Sequence, residues 1–119
     1  MLSLLLSAAL VQPDYGPWRK MKVTAYAQGC GATQATASGV WPETNWSVAS
    51  GSEYPFGTVL QLSYRGILTT RIVHDRFRYD IPGRLDLYME DCKRADVWGI
   101  KYVDVRVVRK PLGKTGAKK

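Results

Sequence analysis

The sequence has few of the residues that bind transition metals. Its 119 residues include one histidine, His74, and two cysteines, Cys30 and Cys92. Zinc sites are built from three or four histidine, cysteine or carboxylate ligands at short characteristic spacings, and these residues show no such spacing. We therefore expect neither a metal nor another cofactor.

Long apolar runs are also missing, which argues against a membrane-spanning helix. The start, "MLSLLLSAALVQP", is apolar for about ten residues, whereas a spanning helix needs about 20. The segment resembles the hydrophobic part of a secretory signal peptide, without the usual preceding basic residues or a clear cleavage site. A strand or helix packed on the domain is the alternative. We expect residues 1–20 to be a signal-like or N-terminal extension. We also expect an exported protein (periplasmic, cell-wall or extracellular), with a phage origin left open.

Export would place the two cysteines in an oxidising compartment. A Cys30–Cys92 disulfide would then close a long loop and stabilise the fold by about 4 kcal/mol in the chain-entropy model. The alternative is two unpaired thiols, one of them buried. Composition does not decide between them.

Acidic residues are absent from the end of the chain. Six of the residues from Arg106 to Lys119 are basic, so most of the net charge of +7 lies there. A stretch such as "KPLGKTGAKK" is typical of a solvated flexible tail, which we predict for residues 110–119. Such a tail attracts polyanions in general. Because the strands carry no motif that reads DNA or RNA, we expect no specific nucleic-acid partner.

The remaining sequence consists mostly of short segments that favour strands. Alternating or β-branched segments occur at "MKVTAYA" (21–27), "TVLQLSY" (58–64), "ILTTRIVHD" (67–75) and "YVDVRVV" (102–108). Turn-forming stretches lie between them, at "GCGATQATASG", "WPETN", "SGSEYPFG" and "DIPG". We predict a mainly β fold, a small closed or partly closed barrel, because so many short strands need closure to hide their edges.

One segment favours a helix. In "EDCKRADVWG" (90–99), Cys92, Ala95 and Trp98 recur at helical spacing. Glu90 or Asp91 can cap the start, and Gly99 stands where a helix-ending glycine belongs. The barrel is therefore predicted to carry one short helix.

The stretch "HDRFRYDIPGRLDLY" (74–88) contains the candidate acidic residues. In "GRLDLYM", alternation places Leu85, Leu87 and Met89 on one face and Arg84, Asp86 and Tyr88 on the other. Asp75 ends the preceding strand, and the connector can bring the two strands together. Two neighbouring carboxyls can differ in pKa, one staying protonated as an acid, while a nearby arginine favours the ionised form. A solvated Asp–Arg pair, which stabilises by less than about 1 kcal/mol, is the ordinary alternative.

A wider set of motifs resembles a known family. In chain order they are "VTAYA" (23–27), "TASG" (36–39), "YPFGT" (54–58), "HDRF…GRLDLY" (74–88), "ADVWG" (95–99) and "VDVRVV" (103–108). Together they resemble the Asp-Asp-Asp (3D) domain of murein lytic transglycosylases and related bacterial wall proteins, and also rare lipoprotein A and, more distantly, the expansins. The resemblance covers residues 21–109. It implies a six-stranded double-psi β-barrel there, with a groove for glycan strands.

The resemblance also implies roles for particular residues. Asp86 corresponds to the catalytic acid/base, and Asp75 assists or orients. Residues expected to bind substrate are Thr36, Ser38, Tyr26, Arg84, Tyr88, Trp41 and Trp46. For Trp41 and Trp46, packing within their loop is an equal alternative to sugar binding. Trp98 and Phe56 are better explained as packing residues.

This sequence departs from the family pattern in one respect that bears on activity. The first family aspartate falls on Ser50, and Glu53 is displaced by three positions. Two functions therefore stay open. One is a peptidoglycan lytic transglycosylase that cleaves between N-acetylmuramic acid and N-acetylglucosamine with a single aspartate. The other is a non-catalytic, expansin-like module that binds or loosens wall glycan. Either would act on peptidoglycan glycan strands, and we expect a monomer.

Overall fold

The computed structural model describes residues 15–28, 31–32 and 35–111. Its elements are β1 (Arg19–Gln28), β2 (Gly31–Ala32), β3 (Ser47–Ser50), β4 (Val59–Tyr64), β5 (Ile67–Arg76), β6 (Arg84–Met89), α1 (Cys92–Trp98) and β7 (Lys101–Arg109). No helix in these ranges is both long and apolar enough to cross a membrane. Most of the predicted N-terminal extension and residues 112–119 of the predicted tail lie outside the described residues.

Six strands close into a barrel. They follow the order β1–β6–β3–β5–β4–β7, and β7 pairs back onto β1. The β1–β6 and β3–β5 pairs are parallel, and the other neighbours in the ring are antiparallel. The two-residue β2 pairs in parallel with the end of β1. The prediction of a mainly β, six-stranded barrel with one short helix is confirmed.

Alternation along the strands fills the barrel interior. The buried core comprises Met21, Val23, Val48, Tyr54, Leu60, Leu62, Val73, Leu85, Leu87, Val103 and Val105. These residues come from all six barrel strands and from the β3–β4 connection, so the core forms only when the ring is complete. On β6, Leu85 and Leu87 are buried and Asp86 between them is only half-buried, as alternation predicts.

Helix α1 packs beside β1 and is capped at both ends. The side chain of Asp91 accepts a hydrogen bond from the Arg94 backbone N–H at 2.8 Å. Gly99, with φ of 67°, ends the helix in a conformation that glycine adopts at low cost. The Trp98 indole Nε1 donates to the Val23 carbonyl at 3.0 Å and so ties the helix to the barrel wall.

The short strands β2 and β3 were not among the predicted elements. β2 lies within the segment "GCGATQATASG" that was predicted as turn, and β3 ("SVAS") lies between two predicted turns. All four β3 residues are buried because β5 pairs with one edge of the strand and β6 with the other. Tertiary pairing thus outweighs a weak local preference for strand.

The predicted disulfide is only partly visible. Cys92 opens α1 and is not a free thiol. Its predicted partner, Cys30, lies outside the described residues, so the pairing itself stays a prediction.

Candidate active site

The two aspartates of the sequence motif lie in one row on the side of the barrel wall away from the core. Strand register pairs Thr24 with Asp86, Asp86 with Ala49, and Ala49 with Asp75. We call these four residues the aspartate row. Because adjacent strands lie about 4.8 Å apart, the backbones of Asp86 and Asp75 are separated by roughly 10 Å. Ala49, with its small side chain, lies between them in the row.

A strand irregularity brings Asp75 to this side. The β3–β5 register shifts between Val48, which pairs with Val73, and Ala49, which pairs with Asp75. Strict alternation would place Asp75 with Val73 in the interior. The extra residue in β5 reverses that orientation, as β-bulges do.

Asp75 accepts three hydrogen bonds. The Tyr26 hydroxyl donates to Oδ2 at 3.0 Å, and the backbone N–H groups of Ala37 and Arg76 donate to Oδ1 at 2.8 and 2.9 Å. Burial, followed by the charge of Asp75, raises the pKa of Tyr26, which keeps the phenol protonated as a donor. Three donors fit an ionised carboxylate, which only accepts hydrogen bonds.

Asp86 accepts fewer hydrogen bonds than Asp75, and its surroundings favour the protonated form. Its Oδ1 accepts one hydrogen bond, from the Thr24 hydroxyl at 2.7 Å. Burial raises the pKa of Asp86 and the nearby Asp75 charge adds to the effect, while Thr24 and the Arg84 charge oppose it without reversing it. Asp86 is therefore the member of the pair suited to hold and donate a proton.

Arg84 lies beside this carboxyl and is incompletely paired. Its Nη2 donates to Thr24 Oγ1 at 3.3 Å, and its guanidinium lies 5.4 Å from the centre of the Phe77 ring. The Nε atom is buried and has no hydrogen-bond partner among the described residues. Arg84 thus retains a donor next to the acid.

Tyr26 and Tyr88 are less accessible than the sequence suggested. Alternation predicted both on polar strand faces, but they are only 8% and 7% exposed. Their rings meet edge-on at 5.5 Å and form a small apolar cluster with Ala49 and Phe77. Their faces are covered by protein, so these rings shield the aspartates and do not offer an open sugar platform.

The "TASG" segment anchors a loop against the end of β5. Thr36 is buried, and its hydroxyl donates to the Val40 carbonyl at 2.6 Å. The Ser38 backbone N–H donates to the His74 carbonyl at 3.1 Å. These contacts hold the Ala37 N–H on Asp75. The hydroxyls of Thr36 and Ser38 lie 3.1 Å apart, and their predicted contact with substrate stays a prediction.

The same loop carries two accessible tryptophans. Trp41 is 63% exposed and Trp46 is 37% exposed, and the neighbouring Val40 is exposed as well. Packing within the loop therefore leaves much of both indoles uncovered. Exposed aromatic rings can pack on the apolar faces of sugars as they do on other apolar groups.

Ser50, at which the family pattern that the sequence resembles has its first aspartate, lies outside the row. Ser50 is fully buried, and Arg76 Nη1 donates to its hydroxyl at 3.0 Å and to the Tyr54 carbonyl at 2.8 Å. By alternation on β3, Ser50 points away from the side that Ala49 occupies. The Glu53 carboxylate instead forms an ion pair with Arg19 at 3.2 Å and accepts a hydrogen bond from the Gly83 N–H at 2.9 Å. Neither residue supplies a third carboxylate to the row.

The sequence prediction missed several residues of the site. Thr24 alternates with Tyr26 in "VTAYA", so its face was predictable, but its contact with Asp86 depends on the parallel β1–β6 pairing. Ala49 and the Ala37 N–H carry no sequence signal, since a small side chain and a backbone amide are not specific to any function. Within residues 15–28, 31–32 and 35–111, no group of three or more possible metal ligands occurs.

Comparison with solved structures finds proteins of similar fold, whereas comparison of sequences finds no match. No family model and no curated protein sequence matches the chain. A crystal structure of MltA from E. coli matches with a TM-score of 0.52 and 23% identity over 70% of this chain and 29% of that one. A variant of this E. coli lytic transglycosylase in an apo form matches with a TM-score of 0.52 and 21% identity, over 71% and 30%. The chain thus spans under a third of the length of these proteins. It has a barrel fold similar to part of a lytic transglycosylase.

Proposed function

We propose that this protein is a peptidoglycan lytic transglycosylase that cleaves the bond between N-acetylmuramic acid and N-acetylglucosamine. The supporting observation is the aspartate row, which combines Asp86, a half-buried carboxyl of raised pKa, with Asp75, a carboxylate that accepts three hydrogen bonds. The likeness of the barrel to MltA supports the same reaction class. Membership of the Asp-Asp-Asp domain or rare lipoprotein A group is part of the proposal.

The reaction needs one acid that later acts as a base. Protonated Asp86 donates its proton to the glycosidic oxygen as the bond from that oxygen to muramoyl C1 breaks. The muramoyl 6-hydroxyl then attacks C1 and returns its proton to Asp86, which closes a 1,6-anhydro ring. No water is consumed, and Asp86 ends protonated. The negative charge of Asp75 stabilises the positive oxocarbenium character that develops at C1.

The neighbouring residues divide into glycan contacts and supports. Trp41 and Trp46 offer exposed rings for sugar faces, and the half-buried Arg84 beside Asp86 is the proposed cationic contact. Thr36 and Ser38 complete the proposed contacts, while Tyr26 and Tyr88 act beneath the site as supports. Because peptidoglycan lies outside the cytoplasmic membrane, the proposal includes export.

Product analysis tests this reaction. The purified protein is incubated with murein sacculi, and soluble products are analysed by mass spectrometry. Anhydro-muropeptides are expected, and Asp86→Asn should reduce their release by about 10²- to 10⁴-fold, the usual contribution of a general acid. Asp104→Asn is the matched control, because Asp104 forms a partly exposed ion pair with Lys20 outside the aspartate row. Reducing-end products, no products, or an unchanged rate for Asp86→Asn would contradict the mechanism.

A wall-binding module without turnover is the second candidate. It is favoured by the exposed Trp41 and Trp46 and by Ser50 in place of the first family aspartate. The protein would then co-sediment with sacculi and release nothing, and Trp41→Ala with Trp46→Ala would abolish co-sedimentation. Binding that survives both tryptophan substitutions would contradict this candidate.

A further inference from the structure

A separate cavity of about 280 Å³ opens into the interior side of the barrel wall. Its apolar lining includes Leu62, Leu87 and Val103, which belong to the core. Asn45 and Ile67 also line it and are exposed, so the cavity is accessible from solvent at that end. It is distinct from the aspartate row because Leu87 and Asp86 lie on opposite sides of β6.

One cation lies in this apolar lining. Arg71 on β5 lines the cavity and is 8% exposed. Its Nε atom has no hydrogen-bond partner in the described part of the chain, and no carboxylate there forms an ion pair with it. Burial lowers the pKa of Arg71. A largely buried charge without a counterion is unfavourable, so an anion bound beside Arg71 would be stabilising.

The geometry points to a binding site for a small carboxylic acid with an apolar body, its carboxylate paired with the Arg71 guanidinium. A guanidinium binds a carboxylate through two parallel hydrogen bonds, which suits a planar anion in a confined space. The lining of Leu62, Leu87 and Val103 would cover the apolar part. A cavity of about 150 Å³ already holds benzene, so 280 Å³ accommodates a ring with a short acid chain. This site does not depend on the proposed catalytic function.

Calorimetry with a matched pair of probes tests the site. The probes are 3-phenylpropanoate and its neutral analogue 3-phenylpropanamide, each titrated into the full chain. The acid should bind with 1:1 stoichiometry, and the amide at least about tenfold more weakly, because only the acid forms charge-assisted hydrogen bonds. Absence of acid binding, or equal binding of the amide, would overturn the proposal.

Two substitutions separate Arg71 from the general positive charge of the protein. Arg71→Met should abolish acid binding while keeping an unbranched side chain about as long as the arginine stem. Arg109→Met, which removes an exposed cation at the end of β7, should leave binding unchanged. Unchanged binding in Arg71→Met would overturn the assignment.

Arg71→Lys, which keeps the charge but loses the planar fork, covers the case in which the methionine variant does not fold. It should bind the acid more weakly than wild type, and equal binding would again count against the site. The Nε–H NMR signal of Arg71 should also shift on acid addition, and an unmoved signal would contradict direct pairing.

Discussion

The surroundings that suit Asp86 to acid catalysis also lower the stability of the folded protein near neutral pH. Its carboxyl is half-buried beside a second acid, so ionisation is disfavoured in the folded chain more than in water. An ionised carboxyl in such surroundings lowers the free energy of unfolding near neutral pH. Groups that lower stability in this way are common in active sites. Thr24 and Arg84 reduce the cost but do not cancel it.

This loss of stability predicts how Asp86→Asn changes stability with pH. The folded pKa of Asp86 lies above its unfolded value of 3.8, so between the two the folded state binds more protons. The stability from this group is present below pH 3.8 and is lost as pH rises through the folded pKa. Asp86→Asn removes that loss, so the variant should be more stable than wild type at pH 7, by about 1.4 kcal/mol for each unit of pKa shift.

Urea unfolding at pH 7 and pH 3 measures this effect. The advantage of Asp86→Asn should disappear at pH 3, where the wild-type carboxyl is protonated in both states. Asp104→Asn, at a partly exposed ion pair, should show no comparable gain at pH 7. A less stable Asp86→Asn at pH 7 would mean that the Thr24 and Arg84 contacts outweigh burial.

At the scale of elements, the segment that follows β3 packs closely against the β5–β6 connector. Asp80 in the connector accepts hydrogen bonds from the Ser52 N–H at 2.9 Å and the Ser52 hydroxyl at 2.7 Å. The two segments pass closely at Gly51. A Cβ atom there would lie 2.8 Å from the Ile81 carbonyl oxygen and 2.8 Å from Asp80 Oδ1. This approach requires glycine for space, not for backbone conformation.

Gly51→Ala should therefore destabilise the barrel by roughly 1–3 kcal/mol, the usual cost of overpacking, because a backbone carbonyl cannot rotate away. Gly16→Ala is the matched control, since its Cβ would meet Val107 at an ordinary distance of 3.6 Å. Urea midpoints of the two variants give the comparison. Equal midpoints would show that the connector shifts freely and that the close approach is not a constraint.

The same elements show how far the sequence predicts the fold. Strands β1, β4, β5, β6 and β7 and helix α1 were predictable because their alternation or spacing is local. The face of Asp86 was predictable for the same reason. The face of Asp75 was not, because it depends on a register shift opposite Ala49. β3 itself is defined by its two partner strands and has little local signal.

At the scale of the whole molecule, the site exists only when strands β1, β6, β3 and β5 have paired side by side. Thr24, Ala49, Asp75 and Asp86 come from four strands that are distant in sequence, and both parallel pairs contribute to the row. No local segment can assemble it. The composition and motif order could therefore predict the class of barrel and the acidic residues, but not the arrangement in which Asp86 differs from Asp75.

A long-range covalent link would stabilise such a closed arrangement. Cys92 begins α1, which packs on β1, and the predicted partner Cys30 follows β1 in the sequence. If the two are joined, a reductant should lower the free energy of unfolding by about 4 kcal/mol, because the unfolded chain regains the entropy of a long loop.

A Cys30→Ser/Cys92→Ser variant should show the lower stability without reductant and no further response when reductant is added. Urea unfolding with and without reductant, beside thiol titration of the denatured protein, measures both. Two titratable thiols in the untreated wild type, with a midpoint insensitive to reductant, would exclude the link and leave barrel closure to the core and the β1–β7 pairing alone.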